Sequence, residues 1–505
     1  MRRRIWFTSP SKSGKVNMPA QVSNAIAGAK GAFINNAWIA SSSGRTLPVI
    51  APAEGRQFAE IAASDANDVD RAVNAARAAF DGAWGRLSAT DRGRLLTKLG
   101  YIVSDYADEL ARLEARDTGK PLKQARADIV ATARYFEYYG GAADKVHGDT
   151  IPFLPGYFVA TERLPHGVVG HIIPWNYPAQ MFGRTLAPAL AMGNASVVKP
   201  AEDACLTPLR LAELAAEVGF PEGAINLVPG LGEEAGAALA SHRGIDFISF
   251  TGSPEVGTLI QSAAAQNHIG CTLELGGKSP HVLFADADLD VAIPVIGNTI
   301  VQHAGQTCSA GSRLLIENSA YDRTVDRLAA LFSGLRAGTP EMDLDLGPVI
   351  NATQKRRIEG FFDRAECDSV PVLARGKIAS GVPAEAFFVE PRVYGPVPRG
   401  NELAAKEVFG PVLSVQPFAD EADAVALANG TEYGLMAAVW SRDGDRALRV
   451  ARGIRAGRVY VNAFGAGGGI ELPFGGMKKS GHGREKGFAA LHDMSTLRTM
   501  IYKHG

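Results

Sequence analysis

The sequence predicts an α/β fold: a mostly parallel sheet covered by helices on both faces, joined to further helical and β segments. Three observations predict it. Between residues 168 and 266, short apolar runs alternate with stretches whose apolar residues recur at helical spacing. The turns between them are rich in glycine, at 230–235 and 250–257. Finally, 46% of the 505 residues are hydrophobic, enough to bury large cores and to divide the chain into two or three domains.

Composition narrows the partners. The net charge of -1 gives no sequence-wide basic field for nucleic acid or an anionic membrane, so neither is expected as a partner. Four cysteines (Cys205, Cys271, Cys308, Cys367) lie far apart without a C-x-x-C pair or metal-ligand spacing. No metal is expected, and a reducing compartment is. No apolar run approaches the roughly 18 residues of a membrane span, and no internal repeat is evident. Residues 1–31 are basic, and the first acidic residue is Glu54. That composition suits an organelle transit peptide, but Pro10, Gly14 and the polar run 9–13 interrupt any amphipathic helix. The segment is therefore read as a flexible extension ahead of an internal start at Met18. The cytoplasm is the expected location, with an organelle matrix as the alternative.

In chain order, 33–49 is strand-like with a turn at 41–44, and the Ala-rich region 68–139 reads as helices, Val69, Ala72, Val73 and Ala76 forming one apolar stripe. Segment 147–164 places Ile151, Phe153, Tyr157, Val159 and Thr161 at odd positions between prolines, a β segment suited to crossing to another subunit. From 167 the alternation begins. Strands are expected at 168–173, 195–199, 224–228 and 245–250, and helices at 207–218, 233–241 and 254–266. Apolar strands separated by helices make a parallel sheet buried on both faces, which binds nucleotides at its carboxyl ends; a Rossmann-like domain follows.

Two glycine loops compete for a nucleotide's phosphates. Gly230-Leu-Gly-Glu-Glu-Ala235 fits the dinucleotide fingerprint literally, but Glu233 and Glu234 would repel pyrophosphate. Phe250-Thr-Gly-Ser-Pro-Glu-Val-Gly257 carries a strand into a helix through Gly252 and Ser253, with Pro254 suited to the first helical position. The second loop is the expected phosphate site, and the first packs beside the adenine. Either loop alone is also what an ordinary structural turn looks like.

Two residues carry reactive chemistry. Glu274, flanked by Leu273 and Leu275 and followed by paired glycines, is an acid whose apolar setting raises its affinity for protons. It is a candidate general base, or a satisfied core carboxylate. Beyond a helix at 288–302, Cys308 sits among Thr307, Ser309 and small residues on backbone that can crowd a substrate. It is either a presented nucleophile or a buried small hydrophobe. The glycine-dense stretch 472–484 reads as a loop around a site.

Seven stretches together resemble the NAD(P)-dependent aldehyde dehydrogenase superfamily, in the family's order and spacing. They are Pro174-Trp-Asn-Tyr-Pro178, Lys199-Pro-Ala-Glu202, Phe250-Thr-Gly-Ser253, Glu274-Leu-Gly-Gly-Lys278, Gly305-Gln-Thr-Cys308, Glu407-Val-Phe-Gly-Pro411 and Pro473-Phe-Gly-Gly476. The resemblance implies an NAD-binding domain (32–146 and 166–274), a catalytic α/β domain (275–479) and a bridging β element (147–165 and 480–505). It also implies a homodimer or homotetramer.

By that resemblance, the Cys308 thiolate adds to an aldehyde carbonyl, and the oxyanion is held by the Asn176 amide and the Cys308 backbone N–H at about 2.7–3.1 Å. Hydride transfer leaves a thioester, hydrolysed by water that Glu274 activates, giving the carboxylic acid. The implied cofactor contacts are Ile173, Trp175, Lys199, Glu202, Gly232, Gly252, Ser253, Glu407 and Phe409. A carboxylate at Glu202 accepts hydrogen bonds from ribose hydroxyls and repels a 2'-phosphate, so NAD is expected over NADP.

The implied substrate tunnel comprises Tyr177, Met181, Arg184, Gln302, Thr307, Ser309, Phe464 and Phe474. Arg184 and Gln302 stand where many relatives carry aromatics, which suggests a polar aldehyde or semialdehyde guided by Arg184. The competing reading pairs Arg184 with Glu471 or Glu485. Rival functions are a cysteine thioesterase, which leaves the nucleotide-type alternation unexplained, and a binding protein on an inherited fold. The CoA-acylating branch generally lacks the base that Glu274 supplies.

Overall fold

A computed structural model describes residues 31–465 and 469–504. The expected flexible extension therefore lies, apart from Gly31, outside the described residues.

The first sheet is organised around strand Val168–Ile173. Strand Ala195–Pro200 pairs parallel on one side of it and strand Phe247–Thr251 on the other. Outward from these lie Ile225–Leu227, Ala32–Ile34 and Ala37–Ile39 at one edge, and Gly270–Glu274 then Gly481–His482 at the other. Strands Val168–Ile173 and Ala195–Pro200 are buried at every position, which is why they read as unbroken runs without period-two alternation. The sheet order reverses about Val168–Ile173, and the crevice outside the carboxyl ends of such strands is where α/β sheets take ligands.

Four helices, Ala66–Asp81, Ala89–Asp105, Ala107–Thr118 and Leu122–Ala142, fill the expected helical region. The first opens with a capping box between Asp65 and Asp68. Helix Pro178–Met192 starts with proline in its first turn and is buried on nearly its whole circumference, so it serves as the packing centre of this half. Among the expected helices, 233–241 differs: it is one π-helical turn, Gly232–Gly236, followed by a short helix, Ala237–Ser241.

A second sheet has its own core. Its order is Val372–Arg375, Arg392–Tyr394, Val412–Phe418, Arg313–Glu317, Pro280–Leu283, Met436–Trp440 and Arg458–Val461. Helix Leu289–Val301 packs there through Ile293, Ile296 and Ile300.

Strand Tyr157–Pro165 pairs along its whole length with Ser495–Lys503, forming a separate two-stranded arm. The C-terminal share of the bridging element is smaller than the expected 480–505. Gly481–His482 adds to the first sheet against Leu273 and Glu274. Helix Gly487–Asp493 buries Ala490 and Leu491 in the first core, so the arm begins at Ser495. Edge pairing and burial hold 481–494 to the first sheet's half, a tertiary choice that local composition does not reveal.

Candidate active site

Both loops expected at a nucleotide lie at strand ends of the first sheet. Strand Phe247–Thr251 passes through Gly252 into helix Pro254–Gln266, capped by the Ser253 hydroxyl, which accepts from the Val256 N–H at 3.3 Å. The Gly252 N–H donates to the Glu274 carbonyl at 3.0 Å, tying this loop to the next strand end. In the other loop Glu234 pairs with Arg45, and a side chain at Gly236 would come within 3.9 Å of Lys199. Lys199, buried at the end of its strand, donates to Glu202 Oε2 at 2.6 Å, leaving Glu202 Oε1 to other partners. Ile173 is buried at the neighbouring strand end.

Glu274 ends strand Gly270–Glu274 and is 2% exposed, with neither carboxylate oxygen hydrogen-bonded among the described residues. Arg184 Nη2 stands 3.6 Å away, and the Arg184 Nε faces Glu485 Oε2 in a close ion pair. Burial, then Glu485, holds the Glu274 carboxyl well above the usual range, and Arg184 partly opposes them. For Arg184, burial opposes the charge, but Glu485 and Glu274 more than compensate and raise it above its ordinary value. Arg184 is thus engaged by a protein acid, one of the two expectations for it.

Paired glycines follow Glu274 for a steric reason. A Cβ at Gly276 would lie 2.3 Å from Glu407 Oε2, and one at Gly277 would lie 2.4 Å from the Cys308 carbonyl. The Gly277 N–H donates to Glu407 Oε1 at 2.9 Å. Burial lifts the Glu407 carboxyl to about 7, against that hydrogen bond and Lys278. Lys278 itself has a buried amine without a hydrogen-bond partner among the described residues, pushed down to about 7 by burial and Arg313.

The cysteine loop departs from helix Leu289–Val301 through a kink. Gln302 caps that helix, and His303 and Ala304 then take left-handed conformations at φ 49° and 52°. Gly305 follows, also left-handed, with Gly410 packed so close that a Cβ would lie 2.0 Å from its carbonyl. Cys308 is half-buried beside Leu435, Met436 and Phe474, with Tyr460 and Phe464 adjoining. Burial pushes its thiol up to about 12, although Arg184 and the Ser309 backbone N–H pull the other way. The Asn176 amide donates to the Gln306 carbonyl at 2.9 Å, which fixes its plane and leaves a second N–H hydrogen.

Around the thiol, the Tyr177 hydroxyl bonds the Thr307 hydroxyl at 2.8 Å. Met181 is buried one turn on, and its N–H donates to the Tyr177 carbonyl at 2.8 Å. Trp175 meets Phe409 edge-on at 5.4 Å and His303 at 6.2 Å. His303 is buried, and burial drives its imidazole well below the ordinary value, so it is neutral. Three residues enter that the motifs had not placed in the site: Lys278, Glu485 and Lys486. Glu485 had been weighed as a partner for Arg184. Its backbone exchanges hydrogen bonds with Phe474 at 2.6 and 2.7 Å, which sets its carboxylate beside the site.

A nucleotide-type sheet, one of whose strands ends in a buried acid followed by glycines that pack on the cysteine loop, is the arrangement of a cofactor-dependent enzyme working at a thiol. The family model described as the aldehyde dehydrogenase family matches residues 38–500. Retinal dehydrogenase 2 of Homo sapiens is 43% identical over 476 residues, 93% of this chain and 91% of that protein. A Burkholderia cenocepacia protein solved as a candidate aldehyde dehydrogenase is 57% identical with a TM-score of 0.94, over 94% of this chain and 100% of that one. Betaine aldehyde dehydrogenase of Staphylococcus aureus, solved with NAD+, is 35% identical with a TM-score of 0.91, over 96% of each chain. The chain belongs to the aldehyde dehydrogenase family, and it is an enzyme that oxidises aldehydes.

Proposed function

We propose that this protein oxidises an aldehyde to the carboxylic acid with NAD, using Cys308 as nucleophile, Asn176 as oxyanion donor and Glu274 as base. One observation carries the assignment. Glu274 is buried with neither oxygen hydrogen-bonded among the described residues, and the carbonyl of Cys308 packs on Gly277, three positions on.

The residues present fit the cofactor. Among the described residues, Thr251 Oγ1 is a buried polar atom without a partner at a strand end, and nothing lies within 4 Å of a Cβ built at Gly232. Glu202 keeps one oxygen for a ribose hydroxyl, and Glu407 with Phe409 flanks the glycine pair and Trp175. Bound there, NAD supplies the acceptor for the hydride released from the substrate carbon. Glu202 would repel a 2'-phosphate, which favours NAD over NADP.

The resting thiol, held near 12, must lose its proton as it attacks. Glu274 is suited to take it, since burial raises its proton affinity toward that of the thiol. The sulfur then bonds to the aldehyde carbon, and the negative oxygen meets the Asn176 N–H and the Cys308 backbone N–H. As the carbon–oxygen double bond re-forms, the carbon–hydrogen bond breaks with its electron pair, leaving a thioester on Cys308. Once the proton taken from the thiol has left Glu274 for solvent, water adds to that thioester while giving its proton to the freed carboxylate, and the carbon–sulfur bond breaks to release acid and thiolate. Asn176 can serve both additions, because its other hydrogen bond keeps it in place.

Assembly as a dimer or tetramer is proposed through the arm. Ile501 and Tyr502 there are 64% and 65% exposed, and Phe158 and Leu497 join them on a strand pair whose Tyr157–Pro165 edge is partly covered by a bridge from Thr150 to Ala160, leaving Ser495–Lys503 as the outer edge. The free cysteines suit a reducing compartment such as the cytoplasm. The test of the reaction is NADH absorbance with a panel of aldehydes, without CoA, in wild type and Cys308→Ala. Formation that depends on Cys308 is expected, and no NADH from any aldehyde would defeat the proposal.

A further inference from the structure

His281 lies on strand Pro280–Leu283 of the second sheet and is fully buried. Thr299, on the helix that leads into the cysteine loop, donates its hydroxyl hydrogen to the Ile296 carbonyl at 2.9 Å. Toward His281 Nε2, 3.3 Å away, the Thr299 oxygen is therefore left to accept, so that nitrogen carries the imidazole hydrogen. The other ring nitrogen, Nδ1, accepts from the Trp440 indole N–H at 3.2 Å. Both nitrogens are engaged in a single tautomer. Burial pushes the imidazole down to about 3, so it stays neutral at physiological pH.

The same ring meets the other end of the cysteine loop, which runs from Gln302, the cap of helix Leu289–Val301, to strand Arg313–Glu317. Near its exit Gly311 comes so close that a Cβ there would lie 1.9 Å from His281 Nε2 and 2.9 Å from the Thr299 hydroxyl oxygen. One imidazole is thus wedged between the helix that enters the loop and the backbone that leaves it, with Cys308 between the two. The strand holds His281 in that place, since it pairs with Leu314 on one side and Ala438 on the other. Met436, at the start of the Ala438 strand, packs beside Cys308. Phe464, which adjoins the same group, leans on the imidazole with ring centres 4.6 Å apart.

Resting on the reading of Cys308 as the nucleophile, we propose that His281 is a positioning residue for that thiol, its Nε2–H side fixing both ends of the cysteine loop through Thr299 and Gly311. The bond to Thr299 holds the last turn of the helix just ahead of the left-handed kink at His303 and Ala304. The contact with Gly311 keeps the outgoing backbone from sinking toward the sheet. A displacement of about 1 Å in a reacting group costs on the order of a hundredfold in rate, so a partly loosened loop should show in kcat. His281 acts through the loop and touches no reacting atom.

The test uses two amides that each keep one of the two hydrogen bonds. In His281→Gln the side chain reaches as far as Nε2 and can still donate to Thr299, whereas in His281→Asn it reaches only as far as Nδ1 and can still accept from Trp440. For each variant, kcat and KM with butanal and NAD are measured beside the urea midpoint and the rate at which iodoacetamide alkylates Cys308. His281→Asn should lose about tenfold or more in kcat, with an altered alkylation rate and little change in KM for NAD, and His281→Gln should keep most of kcat. Equal kcat in the two variants, a kcat that merely follows the urea midpoints, or a kcat for His281→Asn within about twofold of wild type overturns the proposal. Should His281→Asn fail to fold, Thr299→Val decides, since it removes the acceptor at nearly constant volume. A fall in kcat of about fivefold or more supports the proposal, and an unchanged kcat overturns it. The reading beneath it fails differently: NADH formation that survives Cys308→Ala removes the nucleophile itself, whereas equal kcat in the two amides leaves Cys308 in its role.

Discussion

Replacing Arg184 by methionine removes the guanidinium that stands between two buried carboxylates while keeping much of the side chain's volume. Arg184 is 8% exposed, and Glu274 and Glu485 are each 2% exposed. The pair lost at neutral pH is the buried one with Glu485, while Glu274, held well above the usual carboxylate range, adds an attraction of about 4–5 kcal/mol at 3.6 Å and an effective dielectric of about 20 only once it ionises. Desolvation offsets part of that, but removing one partner leaves the other charge buried, and the expected cost is about 3–5 kcal/mol. The cost should be coupled: Glu485→Gln alone should also destabilise, while the double variant should recover most of the loss. Urea denaturation of all four proteins measures it. Catalysis gives a second readout, because Arg184 favours the ionised form of Glu274. Without it, the rising limb of kcat/KM against pH should move to higher pH. An Arg184→Met variant destabilised by less than about 1 kcal/mol, with its pH limb unmoved, would refute this account of the site's electrostatics.

Stability should depend on pH through Glu274. Its folded pKa is raised above the unfolded value, so its contribution is full below the ordinary carboxylate range, about 4.3, and is lost as pH rises through the folded value. Glu274→Gln should flatten that decline in a Tm series, and an identical decline in both proteins would point to other groups. Glu202→Ala should raise kcat/KM with NADP relative to NAD by about tenfold, since it removes the charge that repels a 2'-phosphate; an unchanged ratio would remove Glu202 from cofactor choice. Gly305→Ala meets the Gly410 carbonyl at 2.0 Å in a left-handed conformation, and should cost about 1–3 kcal/mol with loss of NADH formation. Wild-type activity and Tm in that variant would show that the cysteine loop is not pinned there.

The first sheet was legible because its strands are apolar at every position and its turns carry glycine, so Val168–Ile173 and Ala195–Pro200 stand out by local composition. Asn176, Glu274 and Cys308, proposed as the catalytic residues, stood out as members of short stretches. The Arg184–Glu485 pair spans two distant parts of the chain, and local periodicity says nothing of it. Glycine marks left-handed backbone in a sequence, and so the kink at His303 and Ala304 carried no signal. The extent of the C-terminal arm was misjudged for a related reason. Residues 481–494 look no different from the arm until the first sheet offers Leu273 and Glu274 an edge partner. Lys486 lay just past the glycine-dense loop, where a lysine reads as an ordinary solvated side chain.

The most direct test of the central claim is to trap the acyl-enzyme. If Cys308 forms a thioester and Glu274 activates the water that cleaves it, Glu274→Gln mixed with aldehyde and NAD should release about one NADH per subunit and then stall. Intact-protein mass spectrometry should show the acyl group added once, and peptide mapping should place it on Cys308. Steady turnover without an adduct, or an adduct on Cys205, Cys271 or Cys367, would contradict the account.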